Sequence, residues 1–425
     1  MVVVPNAVHR RLLGASHPLA SDQKYAHALA RQLNYNNPNF NFNNLGGYEG
    51  MGYGGNSSGF NSIVAWKSFT NPIYVVGPTQ PKVKVWLVNE ETPKSAEELS
   101  AEETLRTGSF NENVQAGFLE VPMPELSKVL FGQLGSVGTD DQCIVWQPST
   151  GGLWEMHRIA KFLHSKEEGG HKVTAGEWKI GYGAFHNANT WNGIGTEAGL
   201  VSASGLYCAG GMITLQDIIE VLRGGEIKHA IGMYAIVRRN EFIAPAVSHD
   251  TASNQFKEYE NAKKEKVPNP AYTELGYETK AKEEKSESAK GWRDAVPEGA
   301  WFRLPQEATA GEFSLTGKVE TAIFNAIRNY GLVVQDGGGA CGIYVEDYHT
   351  LGSPYCYANV NPYGGYNTAG QDLAQMNAIN AVIPSSWTDS TLPAFTEQFE
   401  STNSLVYKLW EKCAGSLQQI EPFSS

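Results

Sequence analysis

The stretch QCIVWQPSTGGLWEMHRIAKFL, residues 142–163, decides how the chain is to be read. Two apolar runs flank Pro148, Gly151 and Gly152, the residues that punctuate a turn between strands. In an extended backbone successive side chains alternate, so Glu155 and His157 share one face of the second run. Trp154, Met156 and Arg158 take the other. Similar runs bounded by Gly, Pro, Asp or Asn recur at 177–185 (EWKIGYGAF) and 229–237 (HAIGMYAIV). Upstream, Val83, Val85 and Leu87 alternate with Lys82, Lys84 and Trp86, the pattern of a half-buried strand.

Helices interrupt these strands at a few places. Thr214 and Asp217 have capping-box spacing, Ile218, Val221 and Leu222 follow, and Gly224-Gly225 is the stop. A second helix is predicted over 316–330, with Val319, Ile323, Ile327 and Tyr330 on one face and Gly331 ending it. After it, LVVQD and GIYVED read as a strand pair joined by a Gly-rich hairpin turn at 337–341, which leads into a strand and so is no dinucleotide fingerprint.

This pattern predicts a mainly β chain: one large β-sandwich, jelly-roll-like, over 63–360, with a few outer helices. Insertions are expected at 90–112 and 256–290. In residues 90–107 six Glu stand against Lys94 and Arg106, and residues 256–290 carry eight Lys, eight Glu and two Pro. Neither has a sustained apolar stripe, so both read as solvated excursions. Residues 361–425 read as a helical C-terminal extension.

Residues 1–62 read as an N-terminal arm. Ser21 is a candidate N-cap for a short helix bearing Tyr25, Leu29 and Leu33 at i+4 spacing. The 28 residues from Asn34 to Asn61 include nine Asn, seven Gly and six Tyr or Phe. Asn and Gly bury little and lose much backbone entropy on ordering, so such a segment orders best against another surface. Tyr35, Phe40, Phe42, Tyr48, Tyr53 and Phe60 are the candidate partner-binding anchors, since aromatics dominate interface energetics.

Composition narrows the function. A formal charge of -12 over 425 residues argues against nucleic acid, which needs a basic surface. Charged residues at 18% with aromatics at 11% favour a glycan-facing or assembly-type protein over an α/β enzyme. No run approaches the roughly 18 apolar residues of a membrane span. The opening MVVVPNAVHRRLLGASHPLA puts its apolar run ahead of its charges, unlike a secretory signal. Five cysteines form no C-x-x-C pair, and neither cofactor nor metal is expected; Cys341 and Cys356 are the candidate pair for a disulfide in an oxidising compartment. Motifs of zincins, serine hydrolases and P-loops are absent.

Two polar groups are candidates for chemistry. Glu155 as acid or base with His157 as its positioning or shuttling partner is one, a carboxylate and an imidazole on one sheet face. Loop residues His186, Asn189 and Trp191 are the other, since aromatic faces stack on sugar rings and amides match hydroxyl pairs. Trp154 and His229 complete the candidate glycan-binding set, although a satisfied, half-buried histidine is the plainer reading of His229.

The order WEMHRIAKF, AGGMITLQDIIEVLRGGEIKHAIGM, VPEGAWFRLP and AIRNYGLVVQDGGGACGIYVED resembles a group of mostly secreted, uncharacterised actinobacterial proteins with β-sandwich, jelly-roll-like domains. The resemblance covers residues 140–350, about half the chain, and implies a fold but no chemistry. Because the chain adds the Asn/Gly arm and the Lys/Glu excursion, the expected function is a non-enzymatic surface or virion structural protein, of phage-tail or capsid-surface type. It would recognise a cell-surface glycan or a neighbouring subunit and self-associate through the arm, placing it in a virion or at an extracellular surface. The alternative is a polysaccharide-active hydrolase or lyase using Glu155 and His157.

Overall fold

A computed structural model describes residues 8–14, 17–34, 62–65, 71–87, 116–124, 142–157, 159–162, 164–168, 171–187, 189, 202–235, 237–248, 296–337, 341–346, 409–410 and 412–422. The partner-binding aromatics, Trp191, both proposed insertions and Cys356 lie outside these residues. Strand outweighs helix among the described residues, and the sheets do not close into a barrel. The mainly β expectation holds at that level.

In chain order the strands begin with β1 (Ser62–Ala65), β2 (Ile73–Val75), β3 (Val85–Leu87), β4 (Cys143–Gln147) and β5 (Gly152–His157). Next come β6 (Ala160–Lys161), β7 (Lys166–Glu168), β8 (His171–Val173), β9 (Trp178–Ile180) and β10 (Tyr182–Asn187). They continue with β11 (Ile231–Ala235), β12 (Val237–Phe242), β13 (Val296–Glu298) and β14 (Trp301–Arg303). The last are β15 (Leu332–Gly337), β16 (Cys341–Tyr344) and β17 (Gln418–Gln419). The helices are α1 (Lys24–Asn34), α2 (Cys208–Gly211), α3 (Leu215–Leu222) and α4 (Lys318–Asn329).

Two compact units share these elements. The first comprises Met1–Val8, Ala65–Arg223 and Val345–Thr388, and the second His9–Val64, Gly224–Tyr344 and Asp389–Ser425. Residues 63–360, expected as one domain, therefore fall in both.

In the first unit a four-stranded sheet runs in the order β10-β5-β4-β2, and a three-stranded sheet in the order β3-β9-β6. The turn predicted between the runs of 142–163 joins β4 to β5, which pair antiparallel with Glu155 opposite Ile144. Tyr74, Val145, Trp154 and Met156 from the larger sheet and Val85, Leu87 and Ile180 from the smaller one enter one apolar cluster around Phe118. Trp86, expected on a solvated face, is buried with Phe162 and Val173 in a second cluster. Each such fully buried side chain stabilises by roughly 1.5–3 kcal/mol. The capping box of α3 forms as its spacing predicts: Thr214 Oγ1 and Asp217 Oδ2 are 2.5 Å apart, and the Asp217 N–H donates to Thr214 Oγ1 at 3.1 Å.

The second unit is built on a six-stranded sheet in the order β1-β16-β11-β15-β14-β17. Here the sequence expectation is corrected. Strands β15 and β16 do not pair as a hairpin, because β11 lies between them, parallel to β15 and antiparallel to β16. All five residues of β11 are buried, so its run of apolar side chains suits a central strand. Helix α4 starts where Glu320 accepts the Gly317 N–H at 2.9 Å, and it buries Val319, Ile323 and Ile327.

The first helix is part of the core and does not stand off as an arm. Tyr25, Ala26, Ala28, Leu29 and Leu33 of α1 are all buried. The Lys24 N–H at its start is taken by Asp22 Oδ1 at 2.9 Å, where the sequence expectation has Ser21 as cap. Residues 409–420 are likewise integrated: Leu409, Trp410 and Cys413 are buried, and β17 pairs with β14.

Candidate functional site

Strand β5 places Glu155 and His157 on one side and Trp154 and Met156 on the other, as its alternation requires. Its register with β10 is regular: His157 faces Tyr182, Glu155 faces Ala184 and Leu153 faces His186. Glu155, His157 and His186 therefore share a face of the sheet.

That face is covered where Glu155 sits. Glu155 is 1% exposed, and its Oε1 accepts the Ala209 N–H at 3.0 Å. The Cys208 amide also hydrogen-bonds the carboxylate. All four residues of the α2 turn, Cys-Ala-Gly-Gly, are buried. Their small side chains, with Ala184 across the strand pair, let backbone donors come down onto a carboxylate. Burial pushes the Glu155 carboxyl up to about 7, with the two amides pulling the other way. His186 is buried too, and desolvation drives its imidazole down to about 3, so it is neutral at pH 7. His157 is half-buried at the end of the strand. This carboxylate thus ties a turn to a sheet, where the sequence reading expects a concave, solvent-facing acid or base.

The other candidates have partners of their own. Trp154 lies in the apolar cluster on the opposite face, its Nε1 donating to the Gly117 carbonyl at 2.8 Å and its ring 5.0 Å from that of Phe185. It packs the core and does not join Glu155. Asn189 is exposed beyond β10, and its N–H donates to Asn187 Oδ1 at 3.0 Å, a local turn bond. His229 belongs to the second unit, is buried, and donates Nδ1–H to the Ala230 carbonyl at 2.8 Å. Of the glycan-binding set, Trp154 and His186 thus lie on opposite faces of one sheet, and Trp191 is outside the described residues.

Sequence reasoning missed the α2 turn. Its signal was the small-residue run at 208–211, which permits close backbone approach, but the run does not say which carboxylate it covers. Among the described residues no three His, Cys, Asp or Glu side chains gather as a metal site, and no helix is long and apolar enough to cross a membrane. Compared with known proteins, the chain matches no family model, no curated protein and no solved structure at a significant level.

Proposed function

We propose that the chain is a non-enzymatic structural component of a virion or extracellular surface, which recognises a glycan or a neighbouring subunit. The reading rests on the sequence composition, and the engagement of Glu155 supports its non-enzymatic part. A catalytic acid must reach its substrate within hydrogen-bonding range, and this carboxylate is 1% exposed and taken up by the Ala209 N–H. The shared apolar cluster of the two sheets in the first unit supports sheet-on-sheet packing in that part of the jelly-roll-like sandwich expected over 63–360.

Assembly is assigned to the segment Asn34–Asn61 on its composition alone, because ordering it costs roughly 1–2 kcal/mol per residue that contacts to a partner must offset. The expected result is a full-length species heavier than a monomer by light scattering, which becomes monomeric with an unchanged melting temperature once residues 35–61 are removed. A full-length chain that is already monomeric, or a deletion that leaves the mass per chain count unchanged, sinks the assignment.

A second reading, a polysaccharide hydrolase or lyase, draws on the same group. A carboxyl near pH 7 with an imidazole on the same sheet face has the acid–base range of a catalyst. Reducing ends or unsaturated sugars released from a polysaccharide panel by the wild type and not by Glu155→Gln would favour it over the structural role.

A further inference from the structure

In the second unit the segment from His9 to Gly14 crosses the elements around β11 and is held at several points. The Ala230 N–H donates to the His9 carbonyl at 2.6 Å, and the Leu13 N–H donates to the Asn329 carbonyl at 2.7 Å. Arg303 Nη1 donates to the Gly14 carbonyl at 3.1 Å. Leu13 is buried, and His9 is wholly so at 0% exposure. The His9 ring lies 5.7 Å from that of Trp301. Its Nε2 is 3.1 Å from the side-chain nitrogen of Gln335, and since an amide nitrogen only donates, this imidazole nitrogen accepts.

We propose that His9, buried against Trp301 and accepting from Gln335, is an acid-operated latch that releases residues 9–14 from the second unit when its imidazole takes a proton. A proton on Nε2 sets donor against donor at Gln335 and places a cation at a wholly buried position. His229 holds its own proton on Nδ1, toward the Ala230 carbonyl. The charged or titratable groups are Arg10 and Arg11 on the segment, Glu226, Lys228 and His229 ahead of β11, Glu298 on β13, Arg303 on β14, Arg328 and Tyr330 at the end of α4, and Asp336 on β15. His229 is the one whose charge bears on His9, and it adds to the repulsion.

The sign follows from linkage. Burial first, and His229 second, lower the His9 imidazole from the ordinary 6.5 to about 3. The docked segment therefore binds fewer protons than the released one. Docking is complete above pH 6.5 and weakens about tenfold per pH unit below it, until about pH 3.

The test is amide hydrogen exchange of the full chain at pH 7.5 and 5.0, corrected for intrinsic rates. Residues 9–14 are expected to lose about 30-fold in protection at the lower pH while β15 is unchanged. His9→Phe should abolish the loss. An equal loss in His9→Phe, a change below threefold in the wild type, or a parallel loss in β15 would overturn the latch. If the Phe variant does not fold, the wild-type imidazole decides by NMR. Protonation of His9 near pH 6 with the segment still docked overturns the proposal, and no protonation above pH 4.5 in the docked form supports it.

Discussion

Glu155→Gln should be more stable than the wild type at pH 8 by up to about 3 kcal/mol and nearly equal to it at pH 5. The folded carboxyl is raised from 4.5 to about 7, so the native state holds its proton more tightly than the unfolded chain does. The stabilisation this gives is complete below pH 4.5 and is lost as pH rises to 7, which leaves a buried anion above that. Glutamine resembles the protonated acid and has nothing to lose. Glu155→Ala behaves differently. It leaves the Ala209 and Cys208 amides without their acceptor under a buried turn and opens a cavity, a loss of about 2–4 kcal/mol at pH 5. Denaturant midpoints of the three proteins at both pH values check this. A wild-type stability that is flat from pH 5 to 8 would refute the placement of the carboxylate.

Gly331→Ala is expected to cost more than about 3 kcal/mol and to deprive the second unit of its fold. The backbone there has φ +103°, and an added Cβ would stand 2.0 Å from Trp301 Nε1. Trp301 cannot retreat, being 2% exposed and bound through that nitrogen to the Tyr330 carbonyl at 2.9 Å. Nor can the glycine, whose carbonyl accepts the Ile231 N–H at 2.9 Å where β11 joins β15. Soluble yield and near-ultraviolet circular dichroism of the tryptophans report the loss. Trp301→Phe removes the atom that an alanine strikes, so the double variant should lose less than the sum of the singles. Strict additivity, or a single variant within 1 kcal/mol of the wild type, would show that the contact is not what selects glycine.

The local features of this fold were legible in the sequence. Alternation in β5, the Thr214/Asp217 cap and the apolar face of α4 each depend on residues a few positions apart. What was not legible depends on distant neighbours. The five buried residues of β11 announce a central strand but not that β15 and β16 flank it. The stripe on α1 shows which side is apolar but not that the second unit buries it. Glu155 shows the same limit at the candidate site. Its face follows from β5, while its burial comes from a turn 54 residues downstream, so a carboxylate that looked available for chemistry is engaged with backbone amides.

The side chain of Gln23 donates to the Gln419 carbonyl at 3.0 Å and accepts the Gln419 N–H at 2.7 Å, across 396 residues. Leu19 bridges Ile420 in the same place, and β17 completes the edge of the six-stranded sheet there. During synthesis the apolar stripe of α1 thus emerges some four hundred residues ahead of the edge strand it meets. Long-range pairing of this kind is slow, and the interval leaves an open sheet edge available to other chains. The second unit is therefore the part of the molecule most in need of protection during synthesis, while most of the first unit, in the continuous stretch Ala65–Arg223, can fold before it.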